Sequence, residues 1–189
     1  MEFEESEKRR RQLSMQEFGV IWNRLADMNR LNGNAYRILF HLLFEGGGTQ
    51  TEISTARNWK FSSVSNTLRR LYDIGIVNVV VKDRKMMYVF NFDEELLTND
   101  SHNRISINDE LTKEILRKKL KDVSEITTMS ANLFRVYVDI LLYGCTTRKE
   151  LWERRGWKID GVNKAFQKLM EMNLLKCEKK DNKNVYSVK

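Results

Sequence analysis

The residues best suited to recognise another molecule lie in Ser62-Ser-Val-Ser-Asn-Thr-Leu-Arg-Arg-Leu71. As a helix, this stretch puts Val64, Leu68 and Leu71 on one side at spacings of four and three. Ser62, Ser63, Ser65, Asn66, Arg69 and Arg70 are then left on the other. Arg and Asn can each make paired hydrogen bonds, to guanine and adenine edges respectively, and hydroxyls suit bases or phosphates. A polar outer face is equally what any solvated surface helix shows, so the pattern alone leaves both readings open. A second stretch has the same arrangement: Val162, Phe166 and Leu169 inward, with Asn163, Lys164, Gln167 and Lys168 outward. Its entry carries the acidic Asp160. Downstream of each stretch lies a cationic group: Lys82, Arg84 and Lys85 in one case, Lys179, Lys180 and Lys183 in the other. Such groups neutralise phosphates, or they keep an exposed strand edge from pairing with other chains.

Other chemistry is poorly supported. His41 and His102 have no carboxylate or cysteine at a spacing that assembles a metal site or a catalytic triad. Cys145 and Cys177 form no CxxC pair, and Gly46-Gly47-Gly48 lacks the Lys and Ser/Thr of a phosphate-binding loop. The expectation is a non-enzyme with no cofactor and no metal.

These two stretches belong to an internal repeat. Shifted by 98 residues, Tyr36 to Phe90 lies over Phe134 to Val188 without a gap, with 14 identities in 55 positions. They include Arg37/Arg135, Gly46/Gly144, Thr49/Thr147, Glu52/Glu150, Trp59/Trp157, Lys60/Lys158, Asp83/Asp181 and Tyr88/Tyr186. Each copy parses alike. A first helix, expected over Ala35 to Glu45 with Asn34 as its cap, ends at the glycines. Thr49-Gln-Thr-Glu52 and Thr147-Arg-Lys-Glu150 fit capping boxes that open a second helix. A short turn holds Trp59 or Trp157, more often a core plug than a stacking platform. The third helix is expected to be capped by Ser62 or Asp160 and to end at Gly75 or Asn173, residue types that tolerate left-handed backbone. The period then shifts to two. Ile76 to Val81, a polar turn and Tyr88, Phe90 and Phe92 predict a hairpin, as do Leu174 to Glu178, Asp181 to Asn184, Tyr186 and Val188. The expected fold class is mainly α with small β-hairpins, an α+β chain built of two copies of one unit.

Thr49-Gln-Thr-Glu-Ile-Ser and Ser62-Ser-Val-Ser-Asn-Thr-Leu-Arg-Arg-Leu-Tyr-Asp-Ile-Gly-Ile-Val77 resemble the winged helix-turn-helix regulators of the MarR and ArsR type. The second copy departs from them, with Asp160-Gly161 in place of Ser-Ser and Asn173 in place of Gly. The resemblance implies tandem winged helix-turn-helix domains that bind double-stranded DNA. The third helix would enter the major groove and the hairpin wing would lie on the backbone. It also implies a sequence-specific transcriptional regulator. Two alternatives share the layout: a plasmid- or virus-type replication initiator, and a tandem winged-helix scaffold that binds protein and no DNA. Fold alone does not separate them.

The remaining chain sets the frame. Lys plus Arg exceed Asp plus Glu by 33 to 26, giving a net charge of +7 that favours an anionic partner. The sequence divides into an arm with an amphipathic helix (1–33), a first winged-helix domain (34–95), a linker with an amphipathic helix (96–129) and a second winged-helix domain (130–189). Residues 15 to 28 and 109 to 123 are those helices, and each either covers the neighbouring unit or builds a homodimer. Lys8-Arg9-Arg10-Arg11 is a candidate phosphate-following arm diluted by acidic neighbours, and Leu97 to Asn103 is the candidate linker. No apolar run is long enough to cross a bilayer and the N-terminus has no apolar signal core, so a cytoplasmic protein with no membrane partner is expected.

Overall fold

The computed structural model describes residues 13–92 and 106–189. The cationic run at 8–11 and the candidate linker at 97–103 fall outside them. The architecture is α+β. In chain order it comprises α1 (Met15–Asp27), α2 (Gly33–Glu45), α3 (Gln50–Ala56), α4 (Phe61–Asp73), β1 (Val77–Lys82) and β2 (Lys85–Phe90). There follow α5 (Lys113–Ser124), α6 (Ala131–Tyr143), α7 (Arg148–Arg155), α8 (Ile159–Glu171), β3 (Leu175–Lys180) and β4 (Lys183–Val188). Each strand pair forms a separate two-stranded antiparallel sheet.

Every element of the second half begins 98 residues after its counterpart in the first. That correspondence includes α1 and α5, so it starts well before Tyr36. Between Leu13 and Ala35 only Leu13/Leu111 and Asn34/Asn132 are identical pairs. Burial follows the offset nonetheless: Phe18, Trp22, Leu25 and Ala26 on α1 match Leu116, Leu120, Val123 and Ser124 on α5.

Local chemistry explains most boundaries. Capping boxes at Thr49/Glu52 and Thr147/Glu150 open α3 and α7, and Ser14/Glu17 opens α1 in the same way. Gly75 and Asn173 take positive φ at the end of α4 and α8. Four starts differ from the sequence expectation. Asn32, not Asn34, caps α2, accepting from the Ala35 amide at 2.9 Å; Asn34 instead accepts from Arg37 Nη1. The earlier start is possible because Gly33 lies against the Met129 carbonyl, where a Cβ would come within 2.2 Å. The cap positions of α4 and α8 are Lys60 and Lys158, without side-chain caps, so Ser62 and Asp160 sit inside the first turn. Each helix starts two residues beyond the tryptophan that packs on the core, before a capping side chain is reached. α5 begins at Lys113 because Thr112 caps it, while Asn108 folds the preceding residues into a turn.

α2 and α6 are buried on every side: Ala35 to Leu43 and Leu133 to Leu142 contain no exposed residue. A helix apolar all round belongs in an interior. The two meet through Tyr36 and Phe134, whose ring centroids are 5.8 Å apart and whose positions are counterparts in the repeat. Phe40 adds a second ring to Phe134, also at 5.8 Å, edge-on. Such pairs contribute about 0.5–1.5 kcal/mol each beyond simple burial. Buried residues of both halves thus form one continuous apolar cluster.

α1 and α5 cross between the halves, and their contacts come in exchanged pairs. Arg37 donates to the Ile126 carbonyl after α5, and Arg135 donates to the Met28 carbonyl after α1 at 2.6 Å. Arg57 pairs with Glu125 at 2.7 Å, and next to Arg155 the Trp157 indole donates to Asp27 at 3.4 Å. Arg37 and Arg135, Met28 and Ile126, and Asp27 and Glu125 are counterparts at 98 residues, although Trp157 takes in the last contact the place that Arg57 holds in the first half. Reciprocal contacts of this kind define a two-fold relation between the halves, as in an isologous dimer.

One position breaks the symmetry. His41 on α2 accepts from Arg57 Nε at 3.3 Å through its Nδ1. Its counterpart Asp139 on α6 is fully buried and accepts from Arg155 Nε at 2.7 Å, Arg154 at 3.2 Å and the Trp22 indole at 3.3 Å. Burial, and then the Arg57 charge, push the His41 imidazole down to about pH 4.

Two outcomes are expected. Asp139→Asn strands Arg155 without its countercharge and should cost roughly 3–5 kcal/mol in urea unfolding, with a single transition reported by probes in either half. Two separate transitions would show that the halves do not share a core. His41 is neutral when folded but takes up a proton near 6.5 when unfolded. Stability should therefore fall as pH drops from about 6.5 towards 4, with a slope of at most about 1.4 kcal/mol per pH unit, and flatten below that. His41→Leu should remove this component of the pH dependence.

Candidate nucleic-acid interface

Two surfaces related by the two-fold carry the candidate residues, each built from a helix and a hairpin. On α4, Val64, Thr67, Leu68 and Leu71 are buried, which anchors the helix and turns its other side outward. Ser62, Asn66, Arg69 and Arg70 are exposed there, and Ser63 and Ser65 are half-buried. On α8, Val162, Ala165, Phe166 and Leu169 anchor, while Lys164, Gln167 and Lys168 are exposed and Asn163 is half-buried. The hairpin residues Lys82, Arg84, Lys85, Lys180 and Lys183 are all exposed. Neither surface is turned against the other half.

Some of these side chains already have partners. Arg70 donates to the Arg30 carbonyl at 2.5 Å, which ties it to the segment between α1 and α2. Lys168 pairs with Glu171 at 3.1 Å, and Gln167 donates to the same carboxylate at 3.2 Å. The hydrogen bond from Lys168 holds the Glu171 carboxyl below its ordinary range. An anion approaching α8 therefore competes with an internal acceptor that α4 lacks at the corresponding Asp73, whose type is shorter. Glu52 and Glu150 also ionise more readily than usual, because the backbone amides of Thr49 and Thr147 donate to them. They serve helix capping.

The hairpins repeat one design. Each turns through two residues with positive φ: Asp83 and Arg84 at 51° and 61°, Asp181 and Asn182 at 48° and 62°. This is the primed two-residue turn that suits the twist of paired strands. The pair that closes each turn is Lys82 opposite Lys85, and Lys180 opposite Lys183. Like charges placed directly across a ladder oppose pairing. Arg84 adds a cost, since an L side chain other than Asn or Asp is disfavoured in the left-handed region. Both hairpins thus place like charges across the closing pair, and Lys85 and Lys183 also act on the nearby Glu52 and Glu150, whose ionisation they favour. Isolated bridges, Gly48 to Tyr88 and Thr146 to Tyr186, tie each hairpin to the start of α3 and α7.

Sequence reasoning overlooked Phe61 and Ile159. They open α4 and α8 at the same repeat position and are 51% and 50% exposed. The signal was present in the offset itself: an apolar residue kept outside the helical stripe in both copies. Beside Phe61, a groove lined by Gln50, Thr51, Lys85, Met86 and Tyr88 separates hairpin from helix. The first hairpin also exposes the cross-strand pair Val81 and Met86. Trp59 and Trp157 are half-buried: Trp59 packs edge-on to His41, and Arg57 and Arg155 lie over Trp59 and Trp157.

Among the described residues no cluster of His, Cys, Asp and Glu could hold a metal ion, and no helix is long and apolar enough to cross a membrane. Comparison with family models, curated proteins and solved structures finds no match to this chain.

The turn makes a prediction independent of any ligand. Arg84→Gly relieves left-handed strain and should raise stability by about 0.5–1 kcal/mol in thermal or urea unfolding. A destabilised variant would show that the Arg84 side chain stabilises the hairpin through contacts of its own.

Proposed function

We propose that this chain is a double-stranded DNA-binding protein whose halves are winged helices, and that it acts as a sequence-specific transcriptional regulator. In this reading α4 and α8 enter the major groove, where Asn66, Arg69, Asn163, Lys164 and Gln167 meet base edges. Ser62, Ser63, Ser65, Arg70 and Lys168 reach bases or neighbouring phosphates. The hairpins lie on the backbone through Lys82, Arg84, Lys85, Lys180 and Lys183.

The observation that carries this reading is the closing pair of each hairpin. Lys82 faces Lys85, and Lys180 faces Lys183, at the same place in both copies. Two cations held side by side at a self-repelling position gain most from a partner with closely spaced negative charges. A phosphodiester backbone supplies one charge about every 1.7 Å of duplex axis. The net charge of +7 acts in the same direction over longer range. Phe61 and Ile159, at the leading end of each helix, suit contact with a thymine methyl.

A second reading has its own support. The exposed Phe61, Val81 and Met86 surround the groove on the first half and favour a protein partner there. Salt separates the two. Binding to random-sequence duplex should be measurable at ~50 mM salt and fall steeply as salt rises, because several cations displace counterions. Undetectable or salt-independent binding would favour the protein partner. Within the DNA reading, Arg69→Ala should relax preference at one base position at a cost of ~1–3 kcal/mol. Lys85→Ala should weaken all sequences alike and lower the salt slope by about one. Arg84→Gly should weaken binding in the same uniform way although the protein itself is more stable. Equal losses for Arg69→Ala and Lys85→Ala on every sequence would show that α4 does not read bases.

A further inference from the structure

We infer, resting on the DNA reading above, that one chain alone recognises an imperfect inverted repeat, with its two halves taking the two half-sites. The geometry points there through the exchanged contacts. Arg37 reaches Ile126 while Arg135 reaches Met28, and Tyr36 touches its own counterpart Phe134. A residue in contact with its own image lies on the axis that relates the halves. A translation along the chain, such as stacks successive repeats of a solenoid, produces no such reciprocal pairs. The relation is therefore a two-fold, and it exchanges α4 with α8 and one hairpin with the other. Duplex DNA carries local two-folds of its own, because its strands are antiparallel. Two reading helices exchanged by a two-fold present themselves in equivalent orientation to opposite strands, and the matching sequence is an inverted repeat. A direct repeat would need helices related by translation. The two-fold that a homodimer would otherwise supply is already inside one polypeptide.

The repeat is imperfect because the reading residues differ. At equivalent positions Asn66 faces outward on one half and Lys164 on the other, and Arg69 corresponds to Gln167. Asn and Gln pair with adenine, Arg and Lys with guanine. At these two positions the half-sites should thus differ, with adenine and guanine preferences traded between them, and Ser65 against Asn163 adds a third difference. The partner is a duplex of this asymmetry and not one with identical arms.

Selection of bound duplexes from a random library by the full chain, followed by the mass of the complex in sedimentation, tests the proposal. Expected is a motif with an approximate dyad, bound by one chain per duplex. The double variant Lys164→Asn, Gln167→Arg makes the two helices alike at these positions, and it should shift the selected motif towards a perfect palindrome. A directly repeated motif, a single half-site, or two chains on each selected duplex would overturn the inference while leaving DNA binding intact. Recovery of no duplex at ~50 mM salt would overturn both. A double variant that selects the unchanged motif would overturn the assignment of the half-sites to α4 and α8.

Discussion

α2 and α6 have no side that water could occupy, and the rest of the structure answers that constraint. A helix at the edge of a small domain needs cover along one stripe, whereas these two need it around their whole circumference. The three helices and hairpin of one repeat cover only part. Each central helix obtains the remainder from the other central helix, through Tyr36, Phe40 and Phe134, and from α1 and α5 lying across the boundary. Most polar groups that enter this interior are matched, although the buried Arg37 Nε has no hydrogen-bond partner. The Tyr36 hydroxyl donates to the Leu25 carbonyl and accepts from Arg135, and Asp139 is held by two guanidinium groups and an indole. Unpaired, any of these would cost more than it contributes.

This arrangement sorts the arginines into two populations. Arg37, Arg57, Arg135 and Arg155 are drawn inward: Arg37 and Arg135 clasp carbonyls and Arg57 a carboxylate across the axis, while Arg57 and Arg155 also hold His41 and Asp139 of their own halves. Arg69, Arg84 and the hairpin lysines remain outside. The excess of positive charge read from composition is therefore not spread evenly. Its inner share holds the halves together, and its outer share is concentrated on two equivalent surfaces. Those surfaces are not equal in strength, since Glu171 occupies Lys168 and Gln167 on the second while Arg69 and the Phe61 ring are both exposed on the first.

Much of this was legible in the sequence because it is local. The capping boxes, the closing Gly75 and Asn173, and the two-residue turns follow from the conformational preferences of a few adjacent residues, and the repeat made each visible twice. The outward set on α4 and α8 followed from periodicity alone. What stayed hidden is long-range. α1 and α5 share almost no identities, because any large apolar residue fills the seat of Phe18 or Leu116, so the repeat was read as starting too late. Nothing in the chain announces the close approach of Met129 to Gly33, beside which the helix opens with Asn32 as its cap. Asp139 is the one acid on α6, where Arg135 is the other buried charge, but its partners Trp22 and Arg155 come from other segments.

His41 and Asp139 show what the covalent link permits. In an assembly of two identical chains, one codon change alters both sides of the axis together, and a buried carboxylate on one side forces another opposite. Here an imidazole occupies one seat and a carboxyl group with three donors the other. Fusion has released the halves from mirrored inheritance, so each can drift under its own selection while the shared interior keeps them in register. The same crossing of α1 and α5 sets a limit on that freedom: neither half carries its own complete cover, and neither is a portable part that could be shuffled into another gene.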